Sequence, residues 1–317
     1  MRDQFQREIT YLRISVTDLC NLRCRYCMPE EGVCKLRHED VLSYEEITEI
    51  AAAAAELGVT KLRVTGGEPL VRPGVAGLCA SLSALPGIRE VVMTTNGVLL
   101  ERYAGELARA GVRRVNVSLD TLDRDKYRRI TGGGGLERVL AGIRAAEEAG
   151  MGPLKLNAVL IGGFNDDEIP AFAELTRDRD VEVRFIELMP LGPGAEFPPS
   201  AYLPGETVLE RVPELEPVRQ DDGVARLYRL PGGRGRVGLI SPVSRHFCSA
   251  CNRLRLTAEG ALKPCLHSGE EIPLRGLHGR ALREALEEAI LRKPAAHGDL
   301  TAGHRSQAGR SMNTIGG

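Results

Sequence analysis

Residues 11–27 read YLRISVTDLCNLRCRYC, and this stretch decides the fold. In its first seven residues Leu12, Ile14 and Val16 alternate with Arg13 and Ser15, the period of two expected of a strand with one apolar and one polar face. Similar β-branched runs follow at 59–65, 88–95, 112–119, 153–161 and 181–188, separated by longer patterns of helical period. The clearest of these is SYEEITEIAAAAAELG, residues 43–58. Ser43 and Glu46 form a capping box there, Ile47, Ile50, Ala54 and Leu57 trace one face, and Gly58 ends the helix. Six successive strand–helix units imply a parallel sheet and an α/β fold.

The strands depart from an ordinary parallel sheet on their second face. Strands buried on both faces read as almost continuous Val, Ile and Leu. Here Leu62 and Val64 alternate with Lys61, Arg63 and Thr65, and Val115, Val117 and Leu119 with Asn116, Ser118 and Asp120. Leu154 and Leu156 alternate with Lys155 and Asn157, and Val183 and Phe185 flank Arg184. The apolar face must meet the helices, so the polar face points into a lumen. A closed eight-stranded barrel fills its interior with bulky apolar side chains and has no room for five buried cations. The expected fold is therefore a partial (β/α)6 TIM-like barrel over residues 1–190, open enough to hold a large anion. The rival is a set of edge strands with solvated cations, which five strands in agreement disfavour. Residues 191–317 form a second segment of Pro/Gly-rich loops, a cysteine-containing stretch, a helix near 279–292 and a Ser/Gly/Arg tail.

The chain has 317 residues, 43% hydrophobic and 27% charged, which excludes disorder, collagen and coiled coil as global descriptions. Neither a membrane-spanning run nor an apolar leader is visible, so a cytoplasmic protein without membrane attachment is expected. Net charge is −1, but residues 226–317 carry 15 Lys and Arg against 7 Asp and Glu. Such a basic segment, in a chain with no Trp and 4% aromatics, suits a compact anionic ligand better than nucleic acid. Eight cysteines without a secretion signal point to metal or redox chemistry.

Six of those cysteines form two groups. Cys20, Cys24 and Cys27 follow the first strand as C-x3-C-x2-C. Three close thiolates suit an iron–sulfur cubane with one iron left open, whereas an electron-transfer ferredoxin would close that position. Cys34 and Cys79 are the candidates to close it, and both read as structural. The second group is Cys248, Cys251 and, after thirteen intervening residues, Cys265. Taken alone it could be a zinc site completed by His246 or His267. Beside the first group it reads as another open metal centre. Arg253 and Arg255 follow at once in CNRLR, so a ligand there could both coordinate the metal and carry phosphate.

The first triad with Tyr26 before its last cysteine, and GGEP at Gly66–Pro69 after the second strand, resemble the radical S-adenosylmethionine superfamily. The second triad, CNRLR and the closing Gly316-Gly317 narrow the resemblance to its GTP 3′,8-cyclase family, over essentially the full chain. The resemblance implies that Cys20, Cys24 and Cys27 bind a [4Fe–4S] cluster whose open iron is chelated by S-adenosylmethionine. Gly67, Ser118, Met189 and Tyr26 would surround that cofactor. Cys248, Cys251 and Cys265 would hold an auxiliary [4Fe–4S] cluster meeting the guanine of GTP. Arg13, Arg63, Thr94, Lys155, Arg184, Arg253 and Arg255 match substrate-contacting positions, and four of these are lumen cations identified above by strand alternation.

The implied reaction is radical cyclisation of GTP to 3′,8-cyclo-7,8-dihydro-GTP in molybdenum cofactor biosynthesis. An electron donor such as flavodoxin would feed it, cyclic pyranopterin monophosphate synthase would take the product, and the chain could pair as a homodimer. The Gly316-Gly317 tail is expected to enter the lumen and act on the radical step; a frayed terminus is its bland alternative. Gly132–Gly135 lacks the Lys-Ser/Thr of a phosphate loop and reads as a flexible connection. The rival functions are a peptide-modifying radical enzyme, against which the short C-terminal cysteine set argues, and a two-cluster electron carrier or zinc-stabilised binding module.

Overall fold

The computed structural model describes residues 1–29, 32, 35–219, 223–301 and 305–316; Cys34 and Gly317 lie outside them. Six parallel strands form the centre: β1 Tyr11–Ser15, β2 Lys61–Thr65, β3 Glu90–Thr95, β4 Val112–Ser118, β5 Leu154–Leu160 and β6 Val181–Glu187. Each falls within a run expected from alternation. The helices between them are α1 Tyr44–Glu56, α2 Val75–Ser83, α3 Leu100–Arg109, α4 Arg124–Thr131, α5 Leu136–Glu148 and α6 Ile169–Asp178. In α1 the Ser43 hydroxyl accepts from the Glu46 amide and the Glu46 carboxylate accepts from the Ser43 amide, so the capping box is present.

The C-terminal residues share this sheet. After a short helix α7 Thr207–Arg211 come β7 Glu216–Pro217, β8 Arg226–Arg229, β9 Arg236–Ile240, β10 Arg253–Leu256, β11 Ala261–Lys263 and β12 Ile272–Pro273, then α8 Gly279–Leu291 and α9 Met312–Ile315. β9 adds parallel to β6, and β10 adds parallel to β1. Each carries an antiparallel neighbour outward, so the order is β12-β11-β10-β1-β2-β3-β4-β5-β6-β9-β8-β7. The sheet is an open barrel wall whose two ends are both built from the C-terminal segment. Alternation alone located its central six strands.

One face of the sheet meets the helices. Leu12, Ile14, Leu62, Val64, Val115, Val117, Val183 and Val237 are buried in a core that continues into Ile47, Leu78, Leu107, Ile143 and Phe172 of the helices. Burying each large apolar side chain contributes about 1.5–3 kcal/mol. That layer holds the opposite, polar face rigid around a cavity of about 710 Å³.

Candidate functional site

The loop leaving β1 carries Cys20, Cys24 and Cys27, and all three line the cavity. Backbone bonds fold it tightly: the amides of Cys27 and Met28 both donate to the Cys24 carbonyl, at 2.9 and 3.0 Å. The end of α4 supports it from below, with Arg23 and Arg25 amides donating to the Thr131 and Ile130 carbonyls at 2.7 and 3.0 Å. This explains the glycine run, which is more than a connection. A Cβ on Gly132 would lie 2.9 Å from the Arg23 Cβ, and one on Gly134 would lie 2.9 Å from Leu22 Cδ2. Its glycines let α4 and the cysteine loop approach.

The GGEP turn supports the loop from the other side. A Cβ on Gly67 would fall 2.4 Å from the Leu19 carbonyl. Buried Glu68 accepts from the Thr95 hydroxyl and the Asn96 amide, both at 2.7 Å, and Asn96 in turn donates to the Asn21 side chain at 2.7 Å. Burial pushes the Glu68 carboxyl up to about 7, against these hydrogen bonds. The three thiols are pushed up as well. Burial raises Cys27 to about 12 and Cys24 well above the ordinary value, with Cys20 adding repulsion to both. Crowded buried thiols of this kind suit a positively charged metal centre, which takes them as thiolates and removes that cost. The donor set therefore fits the cluster.

Tyr26, Gly67, Ser118 and Met189 line the same cavity. The Tyr26 hydroxyl donates to Asp120 at 2.7 Å, and the Val159 amide binds the other oxygen of that carboxylate at 2.9 Å. Burial pushes the Asp120 carboxyl up to about 6. As a site residue Asp120 escaped the sequence reading; its only signal was its place just beyond the polar face of β4.

The lumen cations divide into two sets, which alternation could not reveal. Lys155 donates to Glu182 at 2.8 Å, and Arg184 pairs with the same carboxylate. Likewise Lys61 and Arg114 share Glu90, at 2.5 and 3.0 Å. Burial and the Arg184 charge depress the Lys155 ammonium to about 8, although Glu182 opposes them. Arg13, Arg63, Arg253 and Arg255, by contrast, have no carboxylate partner among the described residues. They are neighbours by register, since Arg13 stands opposite Arg255 on one side and Arg63 on the other. Arg63 donates to the Thr94 hydroxyl at 2.8 Å. The buried Nε atoms of Arg13 and Arg253 have no hydrogen-bond partner. Burial, joined by the charge of Arg255, holds the Arg13 guanidinium well below its usual value. Unspent donors in this arrangement suit a polyanion.

The second cysteine group borders this pole. Cys248, Cys251 and Cys265 line the same cavity as the first triad. Lys293, which is 2% exposed, braces them by donating to the carbonyls of Arg253 and Pro264 at 2.8 and 2.7 Å. Arg7 clamps the other side through the Cys248 carbonyl at 2.8 Å. Although burial opposes it, contacts with His297 lower the Cys248 thiol, while Lys293 and Arg253 lower Cys251. These thiols are therefore poised to bind metal as thiolates. The zinc alternative named His246 or His267. Among the described residues Cys248 groups with His246 and His297, and one donor atom from each of these three lies within 4.8 Å of the others. His267 meets the His297 ring edge-on, with ring centroids 4.7 Å apart. No spacing in the sequence singled out His297.

The tail reaches the lumen. Ile315 and Gly316 are buried, and the Gly316 carbonyl accepts from Arg255 at 2.8 Å. Gly316 has φ +81°, and a Cβ there would lie 2.9 Å from Thr65 Cγ2 and 3.1 Å from Ser15 Cβ. Its partner Gly317 lies outside the described residues. So does Cys34, while Cys79 is buried in α2.

Residues 14–176 match the Radical SAM superfamily, and residues 181–299 match the Molybdenum Cofactor Synthesis C family. A GTP 3′,8-cyclase of Alkaliphilus oremlandii is 50% identical over the whole of both chains. One from Peptoclostridium acidaminophilum is 51% identical over 99% of this chain and 98% of its own. Among solved structures, SuiB of Streptococcus suis bound to its precursor peptide aligns with a TM-score of 0.60 at 14% identity. That alignment covers 91% of this chain and 66% of SuiB, and shows the shared fold. Among the described residues no helix is long and apolar enough to cross a membrane. With full-length identity near 50% and both triads opening on one cationic cavity, the chain belongs to the GTP 3′,8-cyclase family of the radical S-adenosylmethionine superfamily.

Proposed function

We propose that this chain cyclises GTP to 3′,8-cyclo-7,8-dihydro-GTP, the first step of molybdenum cofactor biosynthesis. The observation that supports it most is the single cavity shared by two cysteine triads and four guanidiniums that have no carboxylate partner among the described residues. Cys20, Cys24 and Cys27 would hold the [4Fe–4S] cluster of the superfamily, with Tyr26, Gly67, Ser118 and Met189 around S-adenosylmethionine. Once bound, this pair supplies a 5′-deoxyadenosyl radical able to take hydrogen from the ribose C3′.

The chain's own residues hold the substrate still for that step. Arg13, Arg63, Arg253 and Arg255 take the triphosphate, and their fixed strand register spaces the guanidiniums without reorganisation on binding. Lys155 and Arg184, ordered by Glu182, and Thr94, ordered by Arg63, line the wall toward β6. Cys248, Cys251 and Cys265 would hold an auxiliary [4Fe–4S] cluster beside the guanine. Gly316 is buried against Ser15, and the tail, Gly316 with Gly317, would act on the radical step. A flavodoxin-like donor delivers electrons, cyclic pyranopterin monophosphate synthase consumes the product, and the chain works in the cytoplasm as a dimer. On this reading residues 1–190 house the radical chemistry, and 191–317 complete the substrate site.

The test is an anaerobic incubation of reconstituted protein with reductant, S-adenosylmethionine and each nucleoside triphosphate in turn. GTP alone should give 5′-deoxyadenosine together with a cyclised product. Cys265→Ser should keep basal cleavage of S-adenosylmethionine and lose cyclisation. Equal turnover of ATP, or cyclisation by Cys265→Ser at the parent rate, would overturn the reading.

A further inference from the structure

Tyr11, the first residue of β1, is 7% exposed and lines the cavity. The strand period puts it on the same face as Arg13, and its register neighbours are Arg253 on β10 and Lys61 on β2. The ring lies 5.4 Å from the Lys61 ammonium and 5.7 Å from the guanidinium carbons of both Arg63 and Arg253. Its oxygen accepts a hydrogen bond from Arg63 Nε. The phenol's own proton has no acceptor among the described residues. Every charge facing it from β1, β2 and β10 is positive: Arg13, Lys61, Arg63, Arg253 and Arg255. Glu90 on β3, a carboxylate that lines the same cavity, is engaged with Lys61 and Arg114. An aromatic hydroxyl thus sits at a pole whose guanidiniums have no carboxylate partner among the described residues, with the Cys251 and Cys265 thiols bordering it beyond Arg253 and Arg255.

We propose that Tyr11 is a further substrate-contacting residue, serving as the counter-charge of the Arg13–Arg63–Arg253 pole while the lumen is empty and donating a hydrogen bond to the triphosphate when it arrives. This deepens the proposed function and rests on it. The electrostatics agree. Burial by itself would raise the phenol, but the charges of Arg63, Arg13 and Arg253, with the Arg63 hydrogen bond, outweigh it and bring the phenol down to about 7. A bound triphosphate cancels that positive field and restores the ordinary affinity for a proton. Binding therefore takes up one proton from solvent, placed between the phenol oxygen and a phosphate oxygen.

The experiment is calorimetry on the reconstituted holoenzyme and on Tyr11→Phe, at pH 8, in buffers of different ionisation enthalpy. Two probes are used, GTP and inorganic triphosphate. The parent should take up close to one proton more per ligand than the variant with either probe. Its affinity should weaken about eightfold between pH 7.5 and 8.5 beyond any change in the variant. The lack of Trp permits a second readout, because a parent-minus-variant difference spectrum near ~295 nm should then report the Tyr11 phenolate. Equal proton counts, or no difference spectrum between pH 6 and 9, would overturn the proposal even if Tyr11→Phe were destabilised. Proton uptake with inorganic triphosphate but no GTP turnover would uphold Tyr11 and count against the proposed reaction.

Discussion

Gly316→Ala offers the sharpest separation of substrate binding from chemistry. The backbone at Gly316 is left-handed, with φ +81°, and an L-residue there costs about 1–2 kcal/mol. The new methyl would meet Thr65 Cγ2 at 2.9 Å and Ser15 Cβ at 3.1 Å, on the rigid strands β1 and β2. The tail must therefore shift, and the bond from Arg255 to the Gly316 carbonyl is lost. A hydrogen bond to a charged group is worth about 1.5–3 kcal/mol. Against these losses stands the burial of Ile315, which contributes about 1.5–3 kcal/mol. Since the losses, about 2.5–5 kcal/mol together, exceed that contribution, the terminal residues should spend most of their time out of the lumen. The guanidiniums stay in place, so GTP affinity should remain within about threefold of the parent, a difference well under 1 kcal/mol. Cyclised product per cleaved S-adenosylmethionine should fall at least tenfold. Measuring GTP binding, 5′-deoxyadenosine and cyclised product on one preparation decides the matter. Undiminished product from Gly316→Ala would refute a role for the tail.

Arg253→Ala should weaken GTP binding about 10- to 150-fold, from one charge-assisted contact worth about 1.5–3 kcal/mol. Arg253→Lys should recover only part of that, because an ammonium cannot reproduce the planar fork; equal GTP affinity in all three proteins would dismiss the phosphate pole. Glu182→Gln should act in the opposite direction. It removes a lumen anion, and repulsion between two unit charges at a separation of about 10 Å and an effective dielectric of about 20 is worth roughly 1.7 kcal/mol, so GTP should bind roughly 15- to 20-fold tighter. The melting temperature should fall, since Lys155 and Arg184 lose their shared partner. Weaker GTP binding by a stably folded Glu182→Gln would reverse the assignment of Glu182 as a competitor of the phosphates.

Much of this architecture was legible because strand alternation is a local signal. Arg13, Arg63, Lys155 and Arg184 each sit between apolar neighbours in the chain, and apolar burial forces the residue between them onto the lumen side. Close cysteine spacing is local in the same sense, since a metal needs its ligands within a few ångströms and a short loop supplies them. Partnerships across the sheet are different. Glu182 meets Lys155 because β5 and β6 pair in the register that places those residues side by side. That register depends on helix lengths and loop closures spread over many residues. Glu90 joins Lys61 to Arg114 across a register shift between β3 and β4, which no reading of one strand contains. His297 reaches Cys248 only because the chain turns back after α8.

Register also changes what the cation count means. Alternation presents the lumen as one basic wall, which would attract an anion without orienting it. Pairing divides that wall into a neutralised side, where Glu182 and Glu90 hold their cations, and a charged pole at β1, β2 and β10. On the proposed function a triphosphate entering such a cavity would move to the pole, and the nucleoside would extend toward the remaining walls. Orientation of the substrate is thus fixed by where the carboxylates are, as much as by where the arginines are. The C-terminal segment decides this, because β10 brings Arg253 and Arg255 beside Arg13 and carries the pole next to the second cysteine triad. The same strand order that completes the barrel wall therefore brings the guanidinium pole and the second cysteine triad together. A chain ending after β6 would keep the radical-generating loop, but it would lose half of the cationic pole and the polarity that orients the substrate.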